Sequence, residues 1–551
     1  MARPSAVPLR TALIQPDESA SDSYPPLGAN VNVLMVWPRF PPSFWGFEGV
    51  VDVVPEKSIM PPLGLITLAA LCPPNWHIRL IDRAFEELQD RDLVWADLVM
   101  VSAMHAQRAD ARVILARARS LGRRTIVGGP WASNEPDAVL ADADHVFVGE
   151  SEEAFAGIAA ALEHGSAQRL YRASDKPEMT LSPVPRYDLL RLDKYASMSV
   201  QYSRGCPFQC DFCNIITIYG RRPRVKTSAQ LIAELDTLRR LGWRKQVFIV
   251  DDNFIGNHRQ ALSLARDLAA WQKRHRYPFS FYTEASIDLS DRPELLAAMV
   301  DANFLYVFLG IETPSTQALL ECGKHQNLRG DTLEQVLRIQ QSGLWVAGGF
   351  IIGFDSDDES IFDRQVEFID RAAIAWAMTG ALQAMPTTPL FDRLNREGRL
   401  FEDSWATNFS PPNFRTILPA PVLLRGLRDL LIRLYEPEPF FRRAVRSLES
   451  WRPSATQRPP KEPLPYRLHV WLRSMWIQGV RSNYRLAYWR FFWLIIRNWA
   501  RQPAKSWMGI LVLLSAHHFL NYARQVVCEL EGEIRTLEEA HAEGECRVPV
   551  A

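Results

Sequence analysis

Three of the seven cysteines, Cys206, Cys210 and Cys213, fall in the pattern Cys-x3-Cys-x2-Cys, while Cys72, Cys322, Cys528 and Cys546 are scattered. Thiolates this close together suit a metal centre. A 4Fe-4S cluster normally takes four of them. Three on a tight loop leave one iron open to a ligand that the protein does not supply. Zinc is the alternative, but it wants four ligands and usually paired Cys-x2-Cys units, and the surrounding sequence offers no evident fourth. An odd cysteine count without paired spacing argues against a disulfide framework and suits a reducing, cytoplasmic setting.

The loop must be held by something, and the residues after it repeat one theme. Strand-like runs MSVQYS (198–203), QVFIVDD (246–252), FSFYTEAS (279–286), LYVFLGIE (305–312), WVAGGFIIG (345–353) and TGALQAM (379–385) alternate with helical stretches. Six βα units predict an open partial barrel over 195–400, with its active site at the strand C-termini. Asp251, Asp252 and Asn253 follow the second run, Glu284 and Ser286 end the third, Gly310 and Glu312 close the fourth, and Gly349 and Gly353 flank the fifth. Each could serve a ligand or brace a loop. Glu284 is the foremost candidate, because a carboxylate at a buried strand end needs a partner. The basic stretch Arg221, Arg222, Arg224 and Lys226 could meet a phosphate or form a solvated face.

Ahead of this, residues 31–165 alternate apolar runs at 31–38, 77–82, 98–104, 125–129 and 145–150 with amphipathic stretches. The pattern predicts an α/β, doubly wound, Rossmann-like parallel sheet covered on both faces. Such sheets bind ligands beyond their C-terminal strand ends, where Asp82, Ser102, Gly128, Gly129, Gly149 and Glu150 stand. His105 lies nearby and reads as a hydrogen-bonded structural residue. Residues 166–194 read as a linker. Residues 1–30 are polar, lack the apolar core of a signal peptide, and are expected to be a disordered leader.

Residues 401–551 are expected to be mainly helical, with Pro-rich linkers at 411–421 and 452–465 and an acidic segment at 529–545 forming a short helix or tail. From Tyr466 to Cys528 there is no Asp or Glu, while Trp471, Trp476, Trp489, Trp493, Trp499 and Trp507 mix with nine Arg and Lys residues. Basic helices carrying Trp and Leu suit a bilayer interface, and the alternative is a helical cap on the barrel. The longest apolar run, 507–514, is too short to span a bilayer, which takes about 20 residues. Net formal charge is zero over 551 residues, and no nucleic-acid partner is expected.

The segment SVQYSRGCPFQCDFCNI resembles the cluster loop of the radical S-adenosylmethionine (SAM) enzymes, in which the open iron is chelated by the amino and carboxylate groups of SAM. MPPLGLITLAALCP, VSAMHAQ, VGGPWAS and VGESEEAF resemble the cobalamin-binding (B12) domain that precedes many radical SAM cores. The order of the parts resembles the cobalamin-dependent subgroup, and VWPRFPPSFWGFEG, VDDNFIGN, WQKRH and GIETP resemble its hopanoid C-2 methylases. The resemblance implies that Phe212, Asp252, Asn253, Glu284, Ser286 and Glu312 contact SAM, and that Asp82, Ser102, Gly128, Gly129, Gly149 and Glu150 contact cobalamin. In one respect the sequence departs from the better-known pattern: Ala84 stands where Asp-x-His-x-x-Gly places a cobalt-ligating His.

By resemblance, one SAM methylates reduced cobalamin. A second yields a deoxyadenosyl radical that removes hydrogen from an unactivated carbon, which then takes the methyl group. The implied partners are a small-molecule or lipid substrate and an electron donor such as flavodoxin or ferredoxin, with peripheral association at the inner face of the membrane. Three rival readings remain: a cobalamin-dependent oxidative cyclase or rearrangement enzyme, a methylthiolating enzyme, for which Cys72 stands alone, and a non-catalytic cobalamin or iron–sulfur sensor.

Overall fold

The computed structural model describes residues 25–401 and 411–542. Most of the expected leader, Cys546 and the end of the acidic stretch lie outside them. The chain divides into two compact units, one of residues up to 41 plus 62–190, the other of 42–61 plus 191 onward.

The first unit is a six-stranded, all-parallel sheet: β1 (Asn32–Trp37), β2 (His77–Asp82), β3 (Leu98–Ser102), β4 (Arg124–Gly128), β5 (His145–Val148) and β6 (Leu170–Arg172). The strands lie in the order β2-β1-β3-β4-β5-β6. Successive β1 residues feed two separate cores: Leu34 and Val36 pack with Leu93, Ile114 and Trp131 on one face, and Val33 and Met35 with Leu65, Phe155 and Ile158 on the other. That is why the strand reads as a continuous apolar run rather than an alternating one. The order reverses at β1 and β3, which is where such sheets take ligands.

Two differences from the sequence reading stand out. The stretch 166–194 holds β6, whose three residues are too short to show a period. Residues 25–30 lie along this unit, with the Leu27 N–H donating to Leu162 O (3.0 Å) and Gly28 N–H to Glu163 O (3.2 Å).

The second unit is an open (βα)6 partial barrel. Its strands β7 (Ser197–Val200), β10 (Gln246–Ile249), β11 (Ser280–Ala285), β12 (Phe304–Glu312), β13 (Trp345–Ile352) and β14 (Ala377–Ala381) are all parallel and neighbour one another in chain order. A small antiparallel pair, β8 (Ser203–Arg204) and β9 (Arg224–Val225), is inserted after β7. Phe281, Thr283 and Ala285 are buried on one face of β11. Phe281 meets Phe279, which stacks on Trp271 of the helix His258–Arg274, so this face is the one the helices cover.

Helices Ala420–Tyr435, Pro437–Ser450, Leu464–Ser474, Arg485–Trp499 and Pro503–Ala542 complete this unit. The acidic stretch is not a separate tail up to residue 542, because it continues the last helix. The Pro-rich stretch from 452 is not a free linker either. Gln457 Nε2 donates to Gly343 O (2.9 Å), and Asn303 Nδ2 donates to Arg458 O (3.0 Å). These bonds strap the stretch across the N-terminal ends of β12 and β13, leaving the C-terminal ends for a site. Residues 42–61 belong here too: Phe44 stacks on Tyr435 (5.0 Å between ring centroids) and on Phe519 (5.7 Å).

Candidate active site

The β8–β9 pair gathers the cysteine loop at its neck. At Gly205, φ is +94° and a Cβ would lie 2.8–3.2 Å from three carbonyl oxygens, those of Gly220, Arg222 and Tyr219. Only glycine lets the backbones approach so closely. The Cys206 N–H then donates to Gly220 O (3.2 Å). Asp251 fixes the strand-to-loop bend, accepting from the Tyr202 N–H (2.7 Å), the Ser203 N–H (2.9 Å) and Ser203 Oγ (2.7 Å). Of the basic stretch, Arg224 and Lys226 are buried: Arg224 Nη2 donates to Tyr219 O (3.0 Å), and Lys226 pairs with Glu234. Those two brace the loop, while Arg221 and Arg222 are exposed.

The three thiols come together within electrostatic reach of one another, and burial pushes Cys213 up to about 12 and raises Cys206 and Cys210. Such thiols stay protonated until a metal displaces the proton. Among the described residues no three His, Cys, Asp or Glu side chains close on a point that could hold a single ion. A cubane binds its thiolates at separate corners, so that geometry bears on a mononuclear site and not on a cluster.

Several expected SAM residues converge here. Asn253 Nδ2 faces Cys206 Sγ (3.9 Å) and donates to Ser286 Oγ (3.1 Å), which in turn donates to Asp288 Oδ1 (2.5 Å). Burial pushes the Asp252 carboxyl up to about 7. Burial, and then the charges of Asp252 and Asp251, push Glu284 up to about 8. Among the described residues no donor is bonded to the Glu284 carboxyl. A half-buried carboxyl without a partner fits a ligand that carries hydroxyl or amino groups.

Glu312 departs from that set. It has φ +65°, and its carboxylate is paired with Lys324 in the interior. Burial pulls the Lys324 ammonium down, but the Glu312 carboxylate beside it holds it above the ordinary range. A Cβ at Gly310 would lie 2.6 Å from Glu312 Oε1 and 2.7 Å from Lys324 Nζ. Phe212 packs edge-on to Phe354 (6.4 Å) in an apolar cluster with Cys322, Leu382 and Leu390. Gly349 leaves room for the Phe308 ring, 2.7 Å from where its Cβ would be, and the Gly353 N–H donates to Asp357 Oδ2 (2.8 Å).

In the first unit the expected ligand residues all stand at strand C-termini. Gly129 has φ +89°, and a Cβ there would lie 2.6 Å from Ser102 Oγ. Gly149 has φ +106°, and its N–H donates to Ser133 Oγ (3.1 Å). Gly128 is not crowded in this way, since its Cβ would meet nothing nearer than 3.9 Å. Asp82 Oδ1 accepts from the Ala84 N–H (2.9 Å), and Glu150 is buried. His105 lies 2.6 Å from Glu135 and 2.8 Å from Arg108. The contact of Gly129 with Ser102 packs the ends of β3 and β4 together, and the small residues Ser102, Gly128, Gly129 and Gly149 keep the ends of β3, β4 and β5 free of long side chains, which suits a large flat ligand such as a corrinoid.

Residues 49–159 match the B12 binding domain, 200–369 the Radical SAM superfamily, and 388–532 a Domain of unknown function (DUF4070). The chain is 40% identical over 506 residues to an uncharacterized methyltransferase of Synechocystis sp., covering 91% of this chain and 94% of that one. It is 36% identical over 503 residues to the hopanoid C-2 methylase of Rhodopseudomonas palustris, covering 90% and 94%. This chain belongs to the B12-binding radical SAM methyltransferases. Among solved structures, the fold resembles OxsB with aqua-cobalamin and SAM bound (TM-score 0.57, 14% identity, 94% of this chain and 82% of that one). It also resembles the radical SAM methyltransferase TsrM of Kitasatospora setae (TM-score 0.54, 15% identity, 71% and 84%).

Sequence reasoning missed Lys324 and Gln326. They lie on a turn after a helix rather than at a strand end, and only the polar run Gly-Lys-His-Gln-Asn marks the place. It also missed Trp45, whose ring lies edge-on to Phe308 (4.4 Å).

Proposed function

We propose that this enzyme transfers a methyl group from SAM to an unactivated ring carbon of a hopanoid-type lipid. The observation that carries the reading is a half-buried carboxylate, Glu284, bonded to no donor among the described residues, at the strand ends that hold the three-cysteine loop. In this reading Cys206, Cys210 and Cys213 hold a 4Fe-4S cluster. Asp252, Asn253, Glu284 and Ser286 face the ribose hydroxyls and the amino group of SAM, with Phe212 and Glu312 at the edge of that set. Asp82, Ser102, Gly128, Gly129, Gly149 and Glu150 face the corrinoid. Together these cofactors supply a hydrogen-abstracting radical and a methyl donor, and the protein supplies orientation and exclusion of water.

A lipid substrate is supported by the face of the barrel opposite the helices. There Phe248 stacks on Tyr282 (4.6 Å), Tyr282 on Tyr306 (4.5 Å), and Trp376 meets Tyr306 edge-on (5.6 Å). Such a surface suits an apolar polycycle better than a charged metabolite. Kinship with the hopanoid C-2 methylase over 90% of this chain points the same way.

A lipid substrate also gives the helical region a role in docking on an anionic bilayer. Trp471, Trp476 and Trp493 are 41%, 58% and 62% exposed, and Leu464, Leu472 and Leu486 are exposed beside Arg467, Arg481 and Arg485. No helix among the described residues is long and apolar enough to cross a membrane.

The test is anaerobic reconstitution with a one-electron donor such as flavodoxin, methyl-labelled SAM and a hopanoid. Label in the product together with 5′-deoxyadenosine is the expected result. Deoxyadenosine with an unlabelled, rearranged product would instead favour the cyclase reading. A loaded cluster with no SAM cleavage would favour a sensor.

A further inference from the structure

The turn between β12 and β13 is built against the cysteine loop. At Gly323 φ is +68°, and a Cβ would lie 2.8 Å from Gln209 O, so the glycine lets this turn touch the backbone just ahead of Cys210. The Asp211 N–H donates to Cys322 O (3.0 Å), which sets the two segments in register. Asn327 Nδ2 donates to Gly310 O (3.2 Å) and Ile311 O (3.0 Å), and Lys324 pairs with Glu312. Both tie the turn to β12.

On this braced turn Gln326 is 3% exposed and directs Nε2 at Cys210 Sγ, 3.8 Å away. Its Oε1 is buried and bonded to no donor among the described residues. What distinguishes Gln326 is that a buried amide on a braced turn spends its donor end on a cysteine sulfur. Its donor end is the one turned to sulfur, which is the favourable orientation when that sulfur is a thiolate.

We propose that Gln326 is a positioning residue that sets the reduction potential of the cluster through an N–H···S bond to Cys210. Reduction adds one electron, and its charge spreads onto the cluster and cysteine sulfurs. A dipole aimed at one of those sulfurs stabilises the reduced form more than the oxidised form, and does so strongly where water is excluded. The potential then rises toward that of the donor. The inference rests on the cluster reading of the three cysteines.

The experiment is an EPR-monitored redox titration of the full chain, reconstituted without oxygen, with iron and sulfide measured on the same samples. Wild type without a cluster would overturn the cluster reading itself. With the cluster present, Gln326→Leu keeps the bulk and removes the donor. Its midpoint is expected to fall, with the reduced fraction at a fixed donor potential dropping about tenfold, a 59 mV shift for one electron. Gln326→Glu replaces the amide with an acceptor and is expected to shift in the same direction. EPR reads only the loaded fraction, so partial loading leaves the measurement valid. Unshifted midpoints in both variants overturn the proposal. So does loss of iron from both in a folded chain, which would make Gln326 a retention residue instead.

Discussion

Asp252 and Glu284 end neighbouring strands of the barrel and crowd each other's charge. Burial and the adjacent carboxylates hold them at about 7 and about 8. Without a ligand, both are largely neutral below pH 7. The folded carboxyl of Glu284 binds its proton above the unfolded value. That stability is fully present at low pH and is lost as pH rises through about 8. Glu284→Gln removes the cost of ionisation, and each tenfold change in proton affinity is worth about 1.4 kcal/mol. The ligand-free variant is therefore expected to be more stable than wild type at pH 9 by on the order of 5 kcal/mol and nearly equal at pH 5. Urea unfolding at the two pH values checks this, and an equal difference at both would refute it.

The same pair predicts how SAM binds. The cationic ligand favours the carboxylate form, so affinity is expected to rise from pH 6 to pH 8.5 and flatten above. In Glu284→Gln this rise is expected to shrink, and affinity to fall about tenfold or more at pH 8.5, the cost of a lost charge-assisted bond. Equilibrium dialysis with the reconstituted chain measures both. A pH profile in the variant that matches wild type would show that Glu284 does not face the ligand.

Gly205 carries a prediction about the metal rather than about SAM. A Cβ at φ +94° costs about 1–3 kcal/mol in backbone strain, and here it also meets three carbonyl oxygens. Gly205→Ala is expected to open the loop neck and separate Cys206 from its two partners. Iron per chain after anaerobic reconstitution should fall well below the wild-type value while the circular dichroism of the sheets persists. Full iron loading would mean that the neck is not what sets the thiol spacing.

The barrel was legible because each of its strands is a separate apolar run followed by polar residues, and the cysteine spacing marks where its mouth must be. Glu284 could be singled out because a carboxylate ending an apolar strand has few explanations. Asp251 sits one residue before Asp252 and looks the same in sequence, yet its carboxylate is spent on Tyr202 and Ser203. Nothing in the pattern separates an acid held by three short bonds from one that accepts only a long bond from the Gly205 N–H (3.4 Å), since the difference lies in which backbone amides happen to point at it. Glu312 also ends an apolar strand, and its partner Lys324 lies twelve positions away across a helix. Residues 42–61 were assigned to the first sheet by chain order, whereas Phe44 is held by rings from 435 and 519. Contacts of that separation leave no local signal.

The Glu312–Lys324 pair is buried on both sides and is tested by taking the charges away singly and together. Removing one partner leaves an uncompensated interior charge, and Lys324→Met or Glu312→Gln alone is expected to cost about 3–5 kcal/mol. The double variant Glu312→Gln with Lys324→Met is expected to recover most of that. Denaturant unfolding of all four proteins gives the coupling. Additive losses would mean that the two groups do not act on each other.

The exposed tryptophans put a bilayer surface and a helical cap to a test. In a cap, the Trp476 and Trp493 rings would be covered, but they are 58% and 62% exposed while Trp499 on the same helix as Trp493 is buried. Truncating them should leave folding nearly untouched, because surface substitutions away from packed contacts change stability by about 0.5 kcal/mol or less. Trp476→Ala with Trp493→Ala is expected to reduce cosedimentation with phosphatidylglycerol vesicles at least tenfold, each ring contributing interfacial area. Raising the salt should weaken wild-type binding as well, because each arginine near an anionic surface adds roughly 1 kcal/mol that is screened by ions. If the double variant binds vesicles as wild type does, the exposed rings do not meet a membrane, and the lipid must reach the barrel by another route.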